Sequence, residues 1–172
     1  MPDPFDTLGL PPRYDLDPAD LHARFIHASA GTHPDRYTDP VEQSQAAERA
    51  AEVNHAYAVL SDPERRADAL LTRMGGPAKD EDKSLPPDLL MDMMEVREQL
   101  EEAIAQENHV ELDKLRTWAH GQRDAHLKTI ADLFADPNHA PDTLPADIAK
   151  AIRLELNALR YIQRMLDQMP GG

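Results

Sequence analysis

The chain has 172 residues, 41% of them hydrophobic, which is enough for one or two small folded domains. It contains no cysteine, so a disulfide framework, a thiol nucleophile and cysteine ligands for a metal are excluded. The 32 acidic and 18 basic residues give a formal charge of −14, which disfavours nucleic acid and anionic membrane surfaces as the main partners.

The first third of the sequence predicts an antiparallel pair of helices. Apolar residues recur at helical spacing over about 18–30 and again over about 41–60. Gly31 and Pro34 favour the end of the first helix, and Asp39 can cap the second. A short polar stretch between two such segments predicts a hairpin with an exposed tip, where a loop can contact a partner.

The tripeptide His33-Pro34-Asp35 lies at this tip. By itself it indicates only a turn, because proline presets φ and aspartate forms local hydrogen bonds. Its flanks are more informative, since residues 3–10, 21–25 and 53–63 surround it in order and at suitable spacing. Together these elements resemble a J-domain over roughly residues 1–75.

The resemblance implies a partner and a set of contact residues. A J-domain stimulates ATP hydrolysis by a DnaK-type chaperone, and its tip docks on that ATPase through an aspartate held on a stiff loop. The contact residues implied here are His33, Pro34, Asp35, Arg36 and, on the preceding helix, Arg24. That helix commonly presents a basic face, but Arg24 is its only lysine or arginine.

A shorter helical segment, ending near Arg73, completes the first domain. The apolar positions of these segments define its predicted core, which comprises Leu8, Leu10, Leu21, Phe25, Val53, Tyr57, Leu60, Ala67 and Leu70. Glycine, proline and charged residues then dominate 76–86, which predicts a linker between domains.

Three further helical periods follow the linker, over about 87–106, 109–134 and 144–169. Their connections are short, which favours an up-down-up bundle. The sequence therefore predicts an all-α protein with an N-terminal J-domain hairpin at 1–75, a linker at 76–86 and a C-terminal three-helix bundle at 87–172.

The first helix of this bundle carries two apolar faces. One is a stripe suited to the bundle core, formed by Leu89, Met93, Val96, Leu100, Ala103 and Ile104. Leu90, Met91 and Met94 lie off that stripe. Their neighbours are Glu98, Glu101 and Glu102. Exposed apolar patches mark binding sites, but packing against the first domain or the linker would bury this one equally well, and both interpretations stay open here.

The same helix extends the resemblance. Residues 89–102, with Tyr14, Arg66-Ala67 and Leu70-Leu71, resemble the HscB-type co-chaperones of iron–sulfur cluster biogenesis, which are J-proteins with a C-terminal three-helix domain. In that family the C-terminal domain holds an IscU-type cluster scaffold protein. The scaffold-binding residues implied here are Leu90, Met91, Met94, Glu95, Glu98 and Glu102, with Tyr161 on the last helix. Of these residues, Leu90, Met91 and Met94 are also indicated by the helical period alone.

The resemblance implies a co-chaperone and no enzymatic activity of its own. The J-domain would stimulate ATP hydrolysis by a DnaK/HscA-type chaperone while the C-terminal domain delivers the scaffold protein. Two alternatives remain, namely a J-domain co-chaperone with a different client and a J-like helical interaction module that recruits no ATPase. Scaffold binding tests the first alternative, and ATPase stimulation tests the second.

Other kinds of site have little support. The chain has eight histidines, but the pairs His22/His27 and His120/His126 are spaced wrongly for two ligands on adjacent turns of one helix face. The sequence has no pair of Glu-x-x-His motifs on two helices, no glycine-rich phosphate loop and no nucleophile elbow. We therefore expect no metal and no cofactor. Without a membrane-length apolar run or an export-signal pattern, the expected location is the cytoplasm.

Overall fold

The structure is a computed structural model that describes residues 2–32, 37–136 and 143–170. Its helices are α1 (Pro4–Leu8), α2 (Pro18–Ala30), α3 (Pro40–Ser61), α4 (Pro63–Arg73), α5 (Pro87–Ala105), α6 (His109–Phe134) and α7 (Ala146–Gln168). The chain divides into two compact units, Met1–Arg73 and Met74–Gly172. The all-α prediction is confirmed, with the helical hairpin in the first unit and three helices in the second.

The described helices of the first unit all begin at an aspartate followed by a proline. The Asp3 carboxylate accepts hydrogen bonds from the backbone N–H groups of Phe5 and Asp6, at 2.8 and 3.2 Å. Asp17, Asp39 and Asp62 cap α2, α3 and α4 in the same way. Proline suits the first helical position because its φ is already set and its missing N–H needs no partner there. This local signal also starts α1, which we did not predict.

The core of the first unit forms where α1, α2 and α4 pack against α3. The predicted core residues that are buried are Leu8, Leu10, Leu21, Val53, Leu60, Ala67 and Leu70. The prediction was wrong for Phe25 and Tyr57, which are only half-buried. Their rings stack on each other with centroids 4.3 Å apart, and the Tyr57 hydroxyl lies 3.4 Å from Nδ1 of His22. This ring pair belongs to the edge of the α2–α3 contact because exposed His22 adjoins both rings.

The core of the second unit is built from all three of its helices. It contains Val96, Leu100 and Ala103 of α5, Leu112, Leu115 and Ala119 of α6, and Ile162, Met165 and Met169 from the C-terminal end. The prediction that Ile104 belongs to this core was wrong, since its side chain is 38% exposed. Ile104 is the penultimate residue of α5, and its neighbour Ala103 occupies the core position in that last turn.

The segment before α5 is held by two buried polar side chains of α7. Arg153 is 1% exposed, and its Nε–H donates to the Pro77 carbonyl oxygen at 2.8 Å. Asn157 is 3% exposed, and its Nδ2 donates to the carbonyl oxygens of Asp82 and Ser84 at 2.9 and 3.0 Å. The segment predicted as a linker, 76–86, thus makes specific hydrogen bonds within the second unit, and the division into J-domain, linker and client-binding domain stays a prediction.

Candidate functional site

Four of the five residues predicted to contact the ATPase follow α2 in the chain, and the fifth, Arg24, lies on α2. His33, Pro34, Asp35 and Arg36 fall outside the described residues. The chain on either side of them is joined by local hydrogen bonds. The Tyr37 hydroxyl donates to the Gly31 carbonyl oxygen at 3.2 Å, and Gln43 Nε2 donates to the Tyr37 carbonyl oxygen at 2.8 Å. We did not single out Tyr37, although an aromatic residue just after a His-Pro-Asp tip would have been the signal.

Arg24 is described and is already engaged in an ion pair. Its Nε lies 3.4 Å from Oδ1 of Asp20, one turn earlier on α2, and both side chains are about half exposed. A pair this exposed is worth little and can be exchanged for a pair with a partner protein. Apolar Ile26, also on α2, is 53% exposed. The outer surface of α2 is therefore weakly charged and partly apolar.

The three off-stripe residues of α5 are exposed to solvent. Leu90 is 51% exposed, Met91 is 75% exposed and Met94 is 67% exposed. Large apolar side chains exposed together on one helix are unusual in a soluble protein and indicate a binding surface. Methionine suits such a surface because its flexible side chain adapts to a partner.

The carboxylates predicted around this patch are exposed as well. Glu95 accepts a hydrogen bond from Gln99 at 3.2 Å, and Glu102 accepts one from Gln106 at 2.9 Å. Glu98 has no hydrogen bond or ion pair with any residue in the described ranges. By the helical period these three carboxylates share the side of α5 that carries Met91. Exposed Met91 is therefore flanked by negative charge.

A groove between α5 and α7 brings part of the predicted set together. It has a volume of about 360 Å³ and is lined by Leu90, Met93, Met94, Arg97 and Leu100 of α5 and by Tyr161, Arg164, Met165 and Gln168 of α7. Leu100 and Met165 are buried and form its floor. Tyr161 is 44% exposed, so its ring is accessible from the groove. Leu90, Met94 and Tyr161 thus meet at one site, whereas Met91, Glu95, Glu98 and Glu102 lie outside it.

The two basic residues of the groove were missed by the sequence analysis. Arg164 lies one turn after Tyr161, and its guanidinium carbon is 5.7 Å from the centre of the tyrosine ring. Arg97 pairs with Glu101 across 3.0 Å. A basic residue three positions after an exposed aromatic residue was the available signal, because such residues are neighbours on a helix surface.

The described residues offer no alternative site for a metal, and they contain no membrane-spanning helix. No group of three or more histidine, aspartate or glutamate side chains is arranged to hold a metal ion within 2–32, 37–136 and 143–170. Over the same ranges, no helix combines the length and apolar character that crossing a bilayer requires.

Comparison with known proteins identifies both units. A family model described as "DnaJ domain" matches residues 3–68, and one described as "HSCB C-terminal oligomerisation domain" matches residues 85–169. A co-chaperone protein HscB homolog from Ralstonia nicotianae is 31% identical over 170 residues, with 95% of this chain and 96% of the relative covered. The homolog from Pasteurella multocida is 30% identical over 169 residues, covering 95% of this chain and 98% of the relative.

Solved structures agree with this result. Chaperone HscB from Vibrio cholerae matches with a TM-score of 0.76 at 25% identity, over 98% of this chain and 95% of that one. Human co-chaperone protein HscB shares the fold with a TM-score of 0.80 at 20% identity, over 98% of this chain and 81% of that one. From the two family models and the near full-length relatives, this chain belongs to the HscB-type J-domain co-chaperones of iron–sulfur cluster biogenesis.

Proposed function

We propose that this chain acts in the cytoplasm and delivers an IscU-type cluster scaffold protein to a DnaK/HscA-type chaperone. The groove between α5 and α7 and the patch beside it bind the scaffold. The His33-Pro34-Asp35 tip docks on the chaperone and stimulates its ATP hydrolysis. The chain brings the two proteins together, because it binds the client at one site and docks on the ATPase with another.

The accessibility of the groove supports the client half of this proposal. Leu90, Met94 and Tyr161 converge there from two helices and remain exposed. Aromatic, leucine and methionine side chains around a shallow groove are typical of the centre of a protein interface. The flanking carboxylates Glu95, Glu98 and Glu102 favour a client surface that is basic next to its apolar contact.

The local structure around the tip supports the chaperone half. Capping by Asp39 and the Tyr37–Gly31 hydrogen bond order the described chain on either side of residues 33–36. A short segment held at both ends loses little conformational entropy when it binds. The weakly basic α2 leaves Asp35 and Arg36 as the main charged contacts.

The client half is tested by the double substitution Leu90→Ser and Met94→Ser. Both side chains are exposed, so we expect the fold to persist, as checked by circular dichroism. Isothermal titration calorimetry with the IscU-type scaffold from the same organism should show Kd raised by at least about thirtyfold, since central apolar contacts each contribute more than about 1 kcal/mol. Val110→Ser is the matched control, because Val110 is 68% exposed and lies on α6 outside the groove. Unchanged affinity of the double variant would refute the site.

The chaperone half is tested by Asp35→Asn. This substitution removes the charge with almost no change of size, so folding and scaffold affinity should stay the same. Stimulation of the ATPase in single-turnover assays should be abolished. Asp15→Asn, which makes the same change at an exposed position, should keep full stimulation. Full stimulation by Asp35→Asn would remove the tip from the mechanism.

A further inference from the structure

A second cavity adjoins the α5–α7 groove and has a different chemical character. It has a volume of about 320 Å³ and is lined by Asp80, Lys83, Asn157, Arg160, Tyr161 and Arg164. We call it the basic pocket, because three of its side chains are cationic and one is a carboxylate. Tyr161 and Arg164 line both cavities, so a ligand in the groove lies beside the basic pocket.

The lining of the basic pocket holds three cations and one carboxylate, so it carries a net positive charge. Lys83, Arg160 and Arg164 form no ion pair with any carboxylate described in the structure. Elsewhere in the same unit, several basic side chains pair with a carboxylate three or four residues away. These pairs are Arg97–Glu101, Lys114–Glu111, Arg116–Asp113 and Lys128–Asp132. Unpaired cations clustered in a chain of charge −14 call for an acidic partner.

Hydrogen bonds from the buried side chain of Asn157 hold the backbone around Lys83 at the pocket. Asn157 donates to the carbonyl oxygens of Asp82 and Ser84, the two residues that flank Lys83 in the chain. The Ser84 backbone N–H donates to the Asp82 carboxylate at 2.9 Å, which closes a tight turn around the lysine. The lysine backbone is therefore ordered before any ligand binds, and this lowers the entropic cost of an ion pair.

The pocket completes a surface that runs from positive through apolar to negative. Lys83, Arg160 and Arg164 lie on the α7 side of the groove. Glu95, Glu98 and Glu102 lie on the outer side of α5 by the helical period. A partner seated in the groove therefore meets opposite charges at its two sides. Such an arrangement selects one orientation of the partner, because the reversed one places like charges together.

We propose that the basic pocket binds an aspartate or glutamate side chain of the same client protein that occupies the groove. This inference rests on the proposed function, since the client must sit in the groove for its carboxylate to reach Arg160 and Lys83. The arginine guanidinium can hold a carboxylate through two parallel hydrogen bonds, and Lys83 adds a point charge. The pocket thereby orients the client, while the groove supplies the apolar contact.

The test is the double variant Lys83→Glu with Arg160→Glu, because neither residue lines the groove. Calorimetry with the intact scaffold protein should show Kd raised about tenfold at low salt, and the loss should shrink at about 500 mM salt. The control is Lys114→Glu with Lys128→Glu, which changes the net charge equally but on α6. An affinity equal to that of the control at low salt would overturn the inference.

The outcomes separate this inference from the proposed function. If Leu90→Ser with Met94→Ser loses binding and the pocket variant binds normally, the groove is the client site and the pocket does not contact the client. If both variants bind normally, neither the groove nor the pocket contacts the client. A scan of exposed scaffold carboxylates, each changed to lysine, should find at least one that binds the pocket variant more tightly than the unchanged scaffold does. If no exchange restores affinity, or if the pocket variant loses binding only of inorganic phosphate, the carboxylate assignment is wrong.

Discussion

The two units of the molecule begin their helices in different ways. In the first unit every described helix starts at a capping aspartate followed by proline. In the second, α5 and α7 start at Pro86 and Pro145 without a side-chain cap, and α6 is capped by Asn108. The second unit relies instead on Arg153 and Asn157, which bind carbonyl oxygens 76 and 75 residues earlier in the chain.

The two proposed binding sites are therefore held in different ways, one by hydrogen bonds between nearby residues and the other by hydrogen bonds between distant residues. The flanks of the His33-Pro34-Asp35 tip are held by groups a few residues away, as in the Tyr37–Gly31 hydrogen bond. The basic pocket depends on α7 to position a loop that precedes α5. A substitution near the tip should therefore disturb only the neighbouring helix, whereas a substitution in α7 should disturb the loop that precedes α5.

The largest loss of stability is expected from Asn157→Ala. It removes both hydrogen bonds to the Asp82 and Ser84 carbonyl oxygens and leaves buried polar groups unpaired. We expect the free energy of unfolding of the second unit to fall by about 2–3 kcal/mol. Urea unfolding followed by Trp118 fluorescence measures this directly, because Trp118 is the single tryptophan and packs against the core of this unit.

The same variant should expose the loop selectively. Trypsin should cleave after Lys83 faster in Asn157→Ala than in the unchanged chain. Gln163→Ala is the control on the same helix, since Gln163 is exposed and bonds only locally to Asp167 within the described structure. It should change stability by less than about 0.5 kcal/mol. Equal losses in the two variants would show that the long-range bonds have no special weight.

A smaller effect is expected from Asp39→Ala in the first unit. The Asp39 carboxylate accepts hydrogen bonds from the backbone N–H groups of Val41 and Glu42, at 2.8 and 3.1 Å. Loss of such a cap costs about 1 kcal/mol. Urea unfolding of the variant, followed by circular dichroism, should show this loss for the first unit. Asp15→Ala, at an exposed position outside any helix, is the control, and a loss no larger than the control's would contradict the local account.

These contrasts also explain what could be predicted from the sequence. Helix bounds followed from aspartate-proline starts and apolar periodicity, so α2, α3, α5 and α6 lie within one residue of prediction. The period also separated Leu90, Met91 and Met94 from the core stripe. The structural roles of Arg153 and Asn157 could not be predicted in this way. Each is a polar residue next to an apolar stripe, and its role depends on a hydrogen-bond partner far away in the chain. Bringing Tyr161 beside Leu90 likewise required either the family resemblance or the packing of α5 against α7.

The smallest expected effect concerns the Asp82 carboxyl group, beside Lys83. The Ser84 hydroxyl and backbone N–H both donate to it and hold its pKa below the ordinary value, and the charges of Lys150 and Arg153 act in the same direction. A lowered folded-state pKa stabilises the fold above the unfolded-state pKa, and this stabilisation is lost as the pH falls through the folded-state pKa. Ser84→Ala removes the hydroxyl, which is the largest of these causes.

In Ser84→Ala the pKa of Asp82 should therefore move up towards its ordinary value, as measured by NMR titration of the carboxyl carbon. The variant should be slightly less stable than the unchanged chain at pH 7, by less than Asp39→Ala, because Asp82 is partly solvated and its interactions are screened. The difference should vanish in strong acid, where Asp82 is protonated in both proteins. A pKa that does not move would assign the lowering to the remaining causes, which are the backbone N–H of residue 84 and the charges of Lys150 and Arg153 on α7.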